Sequence, residues 1–112
     1  MIPVHPLLDT ASAIERMGDK EIYLEIARYF AENVQVTIEN IEQALQNGTM
    51  EDATRLAHSL KGNCATIGAE TVRAQSATLE QLCRNNEKEQ AIALFAIIVP
   101  MLHQVQEAIS TL

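Results

Sequence analysis

Residues 49–68 read TMEDATRLAHSLKGNCATIG, and the spacing of their apolar residues decides the fold. Leu56, Leu60, Cys64 and Ile67 recur at steps of three and four, the helical period. On a wheel of about 100° per residue with Leu56 at zero, Leu60, Ile67, Ala53 and Cys64 fall at roughly 40°, 20°, 60° and 80°. That is one narrow apolar stripe, so the segment is an amphipathic helix with one side to bury. Thr49 with Asp52 offers a capping box, with Asp in place of the usual Glu or Gln, and Gly68 supplies a left-handed stop.

The flanking segments follow the same rule. Asp19 is the expected cap of a long helix whose apolar positions Ile22, Ile26, Tyr29, Phe30, Val34, Ile38, Ile41 and Leu45 lead to a stop at Asn47-Gly48, with a bend allowed near Asn33. Ahead of it, Asp9 caps a short helix through about Met17, which Gly18 ends. Glu70 to about Arg84 forms a further helix with Val72, Ser76, Leu79 and Cys83 inward, and Asn85-Asn86 stops it. Glu87 to Leu112 reads as a last helix, in which Pro100 is expected to force a kink or break near Ile97 to Val99. Pro3 and Pro6 deny helix to residues 1–8, an expected extended leader. No segment alternates with period two. Long amphipathic helices with short connections predict an all-α fold: an antiparallel up-and-down four-helix bundle with a short extra N-terminal helix, filling residues 9–112 as one domain.

Composition narrows the function. Aromatics are 4% and Trp is absent, so the core must be aliphatic. A formal net charge of −7 excludes the basic balance of a nucleic-acid binder. Cys64 and Cys83 lack zinc-type spacing and read as reduced, buried thiols rather than a disulfide. No signal peptide is expected, and the apolar run from Ala91 to Val99 is shorter than the ~20 residues of a membrane span. A soluble, cytoplasmic protein without direct membrane contact is expected.

On the same wheel His58 falls near 200°, about 150° from the middle of the stripe. A histidine that merely fills the core would lie on that stripe, so His58 points to solvent or to a groove. Gly62 and Ala65, near 240° and 180°, leave the surface beside the imidazole bare. Glycine inside a helix costs about 0.8–1 kcal/mol relative to alanine, and no turn requires one at position 62. Close approach by another protein is the simplest compensation. Lys61 and Arg55, each one turn from His58, can bring cations to a negative group on the ring. Each residue also has an ordinary reading: a solvated histidine, a helix-packing glycine, a surface charge. The three together favour a site.

The stretch Ala57-His58-Ser59-Leu60-Lys61-Gly62-Asn63-Cys64-Ala65, followed by Ile67-Gly68-Ala69, resembles the active helix of histidine-containing phosphotransfer (HPt) domains. That family pattern is His, any residue, a hydrophobe, Lys, Gly, small residues, then a hydrophobe and Gly. The resemblance runs from about Asp9 to Arg84. It implies a four-helix bundle that carries phosphate on histidine and passes it between receiver-domain aspartates, without kinase activity of its own. Carried over by position, His58 is the phosphoacceptor, Lys61 stabilises the phosphoryl group, and Gly62 leaves room for the receiver. Glu80 hydrogen-bonds one imidazole nitrogen. An acceptor at Nδ1–H fixes the tautomer and leaves the Nε2 lone pair for in-line attack. Arg55, Ser59, Gly62, Ala65 and Arg84 are the implied partner-binding residues, and a hybrid sensor kinase is a second implied partner. The resemblance implies no cofactor or metal on this chain, with Mg²⁺ on the receiver only.

Two rivals stand beside this reading. One is a helical interaction module that binds through the bare face without being phosphorylated. The other is a metal or redox protein using His58, Cys64, Cys83 and His103, no two of which have metal-ligand spacing on one face. His5 and His103 read as surface residues.

Overall fold

Two aspartates open the first two helices. In the computed structural model, which describes residues 4–112, Asp9 accepts from the Ser12 N–H at 3.1 Å to start α1 (Thr10–Met17). Asp19 accepts from the Ile22 N–H at 3.1 Å to start α2 (Lys20–Asn47). Gly18, Gly48 and Gly68 end α1, α2 and α3 (Met50–Ile67) in the left-handed conformation. Asn85-Asn86 ends α4 (Glu70–Arg84), with Asn86 at φ 57°, and α5 runs over Lys88–Ser110. Thr49 does not cap α3. Its hydroxyl donates instead to the Ala44 carbonyl at 3.1 Å, serving the orphaned end of α2, so the expected capping box is not formed.

Helices joined by two- or three-residue turns fold back on one another, and three cross-links fix the directions. The Tyr23 hydroxyl near the start of α2 donates to the Ile67 carbonyl at the end of α3 at 2.7 Å. Lys88 at the start of α5 reaches the Gln46 carbonyl at the end of α2, and Gln106 near its end reaches Ala31. Each helix of the bundle packs on its two neighbours in the order α2, α3, α4, α5 and back to α2. α3 and α5 therefore lie on a diagonal, while α1 leans on α2 and α3. The all-α four-helix bundle with a short leading helix is the observed fold. Ile41, Leu45, Leu60, Ile67, Leu79, Ile98 and Leu102 fill its interior.

Three further local expectations are corrected. Residues 4–8 are not extended: Pro6 and Leu7 make a turn in which Leu8 N–H bonds the His5 carbonyl, and Leu8 enters the core. His5 is half-buried, its Nδ1 accepting from the Leu7 N–H at 3.0 Å. The rest of the expected leader, Met1 to Pro3, lies outside the described residues. α2 is unbroken through Asn33, where a bend was allowed, and the Asn33 side chain bonds back to the Tyr29 carbonyl.

α5 likewise continues through Pro100, so the proline does not break it. The proline faces solvent and removes one hydrogen bond, while Phe95, Ile98, Leu102 and Val105 bury the core face on both sides of it. By length and composition alone this helix could cross a membrane, so its apolar character extends beyond Ala91 to Val99; here it is a core helix of the bundle.

The third correction concerns the first half of α2. Ile22, Ile26 and Tyr29 are exposed, and Tyr23, Ala27 and Val34 point inward. Period alone does not say which of two adjacent apolar stripes is buried. The Tyr23 hydroxyl decides it, because only the inner position reaches Ile67.

Candidate functional site

The buried face of α3 consists of Met50, Ala53, Ala57, Leu60, Cys64 and Ile67. It is centred nearer Ala57 than the wheel suggested, with Leu56 half-buried at its margin. His58 lies off that face, and its side chain is 66% exposed. The Cys64 and Cys83 thiols are free and buried, and burial pushes Cys64 up to about 12 and raises Cys83.

The residue that organises the surface is Glu80. Helix α4 presents Ser76, Leu79 and Cys83 to the core, and Glu80, next to Leu79, is drawn under the edge of α3 until only 4% of it is exposed. A buried carboxylate needs partners, and Glu80 has three. Its Oε1 meets Lys61 Nζ at 2.8 Å; its Oε2 meets both Arg84 Nη2 at 2.8 Å and His58 Nδ1 at 3.1 Å. The hydrogen bond from Lys61 outweighs the cost of burial and, with Arg84 and His58, holds the Glu80 carboxyl down at about 2 against the ordinary 4.5. An ionised carboxylate only accepts, so Nδ1 carries the hydrogen and Nε2 presents its lone pair on the exposed side of the ring.

That depressed pKa has a consequence for stability. The unfolded chain takes up the proton near 4.5, the folded chain only near 2. The contribution of Glu80 is therefore complete above pH 4.5 and is lost as pH falls towards 2. Denaturant midpoints recorded over this range are expected to converge between wild type and Glu80→Gln as the solution is acidified. A constant difference would show that the charge of Glu80 contributes nothing.

The remaining site residues distribute around this centre. Lys61 is held on Glu80 beside the ring. Arg55 is exposed, pairs with Asp52 at 3.4 Å, and shares with Met50, Thr54, His58, Glu80 and Arg84 the wall of an open cleft of about 660 Å³ between α3 and α4. Ser59, Gly62 and Ala65 are exposed on α3, and a Cβ added at Gly62 would meet nothing within 4 Å. No neighbour inside the protein accounts for that glycine. The Ala65 carbonyl accepts from Arg16 of α1. His103 is exposed on α5, diagonal to this helix, and among the described residues no three His, Cys, Asp or Glu side chains converge on a metal position.

On the other side of His58 lies a feature that sequence reasoning missed. Ile22 (47% exposed), Ile26 and Tyr29 (70% exposed) form an apolar strip on α2. Ile26 and Tyr29 share a groove with Asn63 and Thr66 of α3, and Thr66 bonds back to the Gly62 carbonyl. The strip and the bare glycine are thus parts of one surface. These residues were legible as apolar but were assigned to the core.

Known proteins share the fold and part of the sequence. The chain superimposes on the crystal structure of histidine-containing phosphotransfer protein B (HptB) from Pseudomonas aeruginosa with a TM-score of 0.84 at 25% identity, covering 96% of this chain and 95% of that one. It is 36% identical over 72 residues to histidine-containing phosphotransfer protein 4 of Arabidopsis thaliana, across 62% of this chain and 55% of that protein. It is 25% identical over 93 residues to the phosphorelay intermediate protein rdeA of Dictyostelium discoideum, across 83% of this chain and 37% of that protein. The matched regions thus span only about a third to a half of these curated relatives. The Hpt domain family model matches residues 25–112, which begins inside α2 and takes in α5 as well as the histidine helix. By that match this chain belongs to the Hpt domain family.

Proposed function

We propose that the chain is a phosphorelay intermediate that accepts a phosphoryl group on His58 from the aspartyl phosphate of a receiver domain and hands it to another receiver aspartate. The observation that carries this is the exposed imidazole whose Nδ1 is held by the buried, ionised Glu80. In the first transfer the Nε2 lone pair forms the N–P bond while the P–O bond breaks, its electron pair staying on the aspartate. The ring keeps its Nδ1 hydrogen on Glu80. In the second transfer a carboxylate oxygen attacks phosphorus, the P–N bond breaks, and its pair returns to Nε2. Positioning and charge neutralisation supply most of the rate in such chemistry. Lys61 is joined to the ring through Glu80, two hydrogen bonds away, and can shift from Glu80 towards the phosphoryl oxygens.

The partner supplies the electrophile and its Mg²⁺; this chain contributes the nucleophile, no kinase activity, and no cofactor. Response-regulator receivers and a hybrid sensor kinase, in the cytoplasm, are the partners the site suits. Ile22, Ile26, Tyr29 and the flat surface at Gly62 would take the receiver's apolar face, with Arg55, Ser59, Ala65 and Arg84 around His58 completing the contact. Incubation with a phosphorylated receiver domain should give the wild-type protein an acid-labile, alkali-stable label. No label from any cognate receiver would leave a docking module without phosphorylation as the better reading.

Gly62→Gln separates docking from folding. A Cβ added at position 62 meets nothing within 4 Å, so the helix is expected to gain about 0.5–1 kcal/mol from propensity. Receiver affinity is expected to fall at least about tenfold, or 1.4 kcal/mol. Calorimetric titration showing wild-type affinity would remove Gly62 from the interface.

A further inference from the structure

We infer that Arg84 is a positioning residue that acts on His58 through Glu80, matching the carboxylate's charge so that the imidazole is steered without being turned into imidazolium. The geometry is specific on one point. Arg84 Nη2 and His58 Nδ1 bind the same oxygen, Glu80 Oε2, whereas Lys61 takes Oε1. A fully charged carboxylate at hydrogen-bond distance favours the protonated ring, and a protonated ring has no lone pair at Nε2. Arg84 donates into the oxygen that would otherwise exert this pull.

The other charged groups around the ring do not substitute for it. Glu51 and Arg55 stand on α3 at the cleft, and Arg55 is turned to Asp52. The α2 side of the helix offers Ile26, Tyr29, Phe30, Asn33 and Thr37, of which only Tyr29 can titrate. Arg16 of α1 ends on the Ala65 carbonyl, and α5 is across the diagonal. Glu80 with its two cations is the charge system that touches the imidazole.

The role rests on the relay reading for its purpose, but it can be measured without a phosphoryl donor. In an NMR titration of the unphosphorylated protein, Arg84→Gln is expected to raise the His58 midpoint by about one pH unit, the usual size of a close charge effect. Arg84→Lys should restore the wild-type midpoint. In a Glu80→Gln background the shift produced by Arg84→Gln should shrink to a small fraction. Phosphoryl acceptance by Arg84→Gln should drop several-fold at neutral pH and recover as pH rises. An unmoved midpoint overturns the inference, and so does an equal shift in both Glu80 backgrounds, which would make Arg84 an independent distant charge. Arg84 is half-exposed, so the variants should fold, and Arg84→Met repeats the comparison without a side-chain hydrogen bond. If wild type takes no label from any receiver but the midpoints move as stated, the relay reading fails and the coupling stands.

Discussion

A His58→Gln protein is expected to take no label from a phosphorylated receiver while folding as stably as wild type. The two halves of this result have separate causes. Stability is spared because the imidazole is two-thirds exposed and contributes only one of the three partners of Glu80; Lys61 and Arg84 remain. An exposed substitution of this kind stays within about ±0.5 kcal/mol. For a domain of this size that is a melting temperature within about 3 °C of wild type. Labelling is lost completely because no other group can take the role. A glutamine amide has the reach to bond Glu80 but no basic lone pair to attack phosphorus. His5 is committed through Nδ1 to the Leu7 N–H in the N-terminal turn, and His103 is on the helix diagonal to α3. Label persisting in His58→Gln with the same acid lability would place the phosphoryl group on one of these two and remove α3 as the active helix. Label persisting with acid stability and alkali lability would indicate a carried-over acyl phosphate.

How much of this was legible beforehand depended on whether a feature was local. The periods of α3, α4 and the second half of α2, the Asp9 and Asp19 caps, and the glycine stops at 18, 48 and 68 are near-neighbour chemistry, and the structure reproduces them. The exposure of His58 followed from one helical wheel. Glu80 is different. Its contact with His58 crosses 22 positions of sequence, and it entered by resemblance to a family, not by spacing. Its burial, and the clamping of Lys61 and Arg84 on opposite oxygens, depend on how closely α3 and α4 pack. The exposed strip on α2 was misassigned for the same reason. Ile22 and Ile26 have the composition of core residues, and Tyr23 shows itself as the true inner residue only through a hydrogen bond 44 positions away. Apolar residues that fit a period yet remain outside the core leave an exposed patch of the kind the proposed docking would cover.

Gly68→Ala is expected to be the most destabilising of the glycine-to-alanine changes, and to act at a distance from the chemistry. Two costs coincide there. Gly68 holds φ 89°, where a side chain costs roughly 1–2 kcal/mol. The added Cβ would also overlap the Asp9 carbonyl oxygen, with the Asp9 carbonyl carbon at 3.1 Å and Ala13 Cβ at 3.2 Å behind it. That oxygen is backbone at the cap of α1, and Asp9 N–H donates to the Gly68 carbonyl at 2.9 Å, so neither partner can turn aside without breaking the joint. Relief requires the start of α1 to lift, which withdraws Leu8 and Ala13 from the core. The sum is about 2–4 kcal/mol, within the range known for combined strain and core disruption. At about 4–8 °C per kcal/mol, the melting temperature should fall by about 10 °C or more. Gly18→Ala is the control. It has nearly the same backbone angle, φ 81°, but no atom within 4 Å of the new Cβ, so it carries the conformational cost alone. Equal losses at the two positions would show that the contact between Gly68 and Asp9 contributes nothing. His58 lies ten residues back along α3, about 15 Å along the axis. Assayed well below its melting temperature, Gly68→Ala should therefore still accept phosphate at the wild-type rate, because α1 braces the far end of the histidine helix and leaves the face that carries His58 untouched.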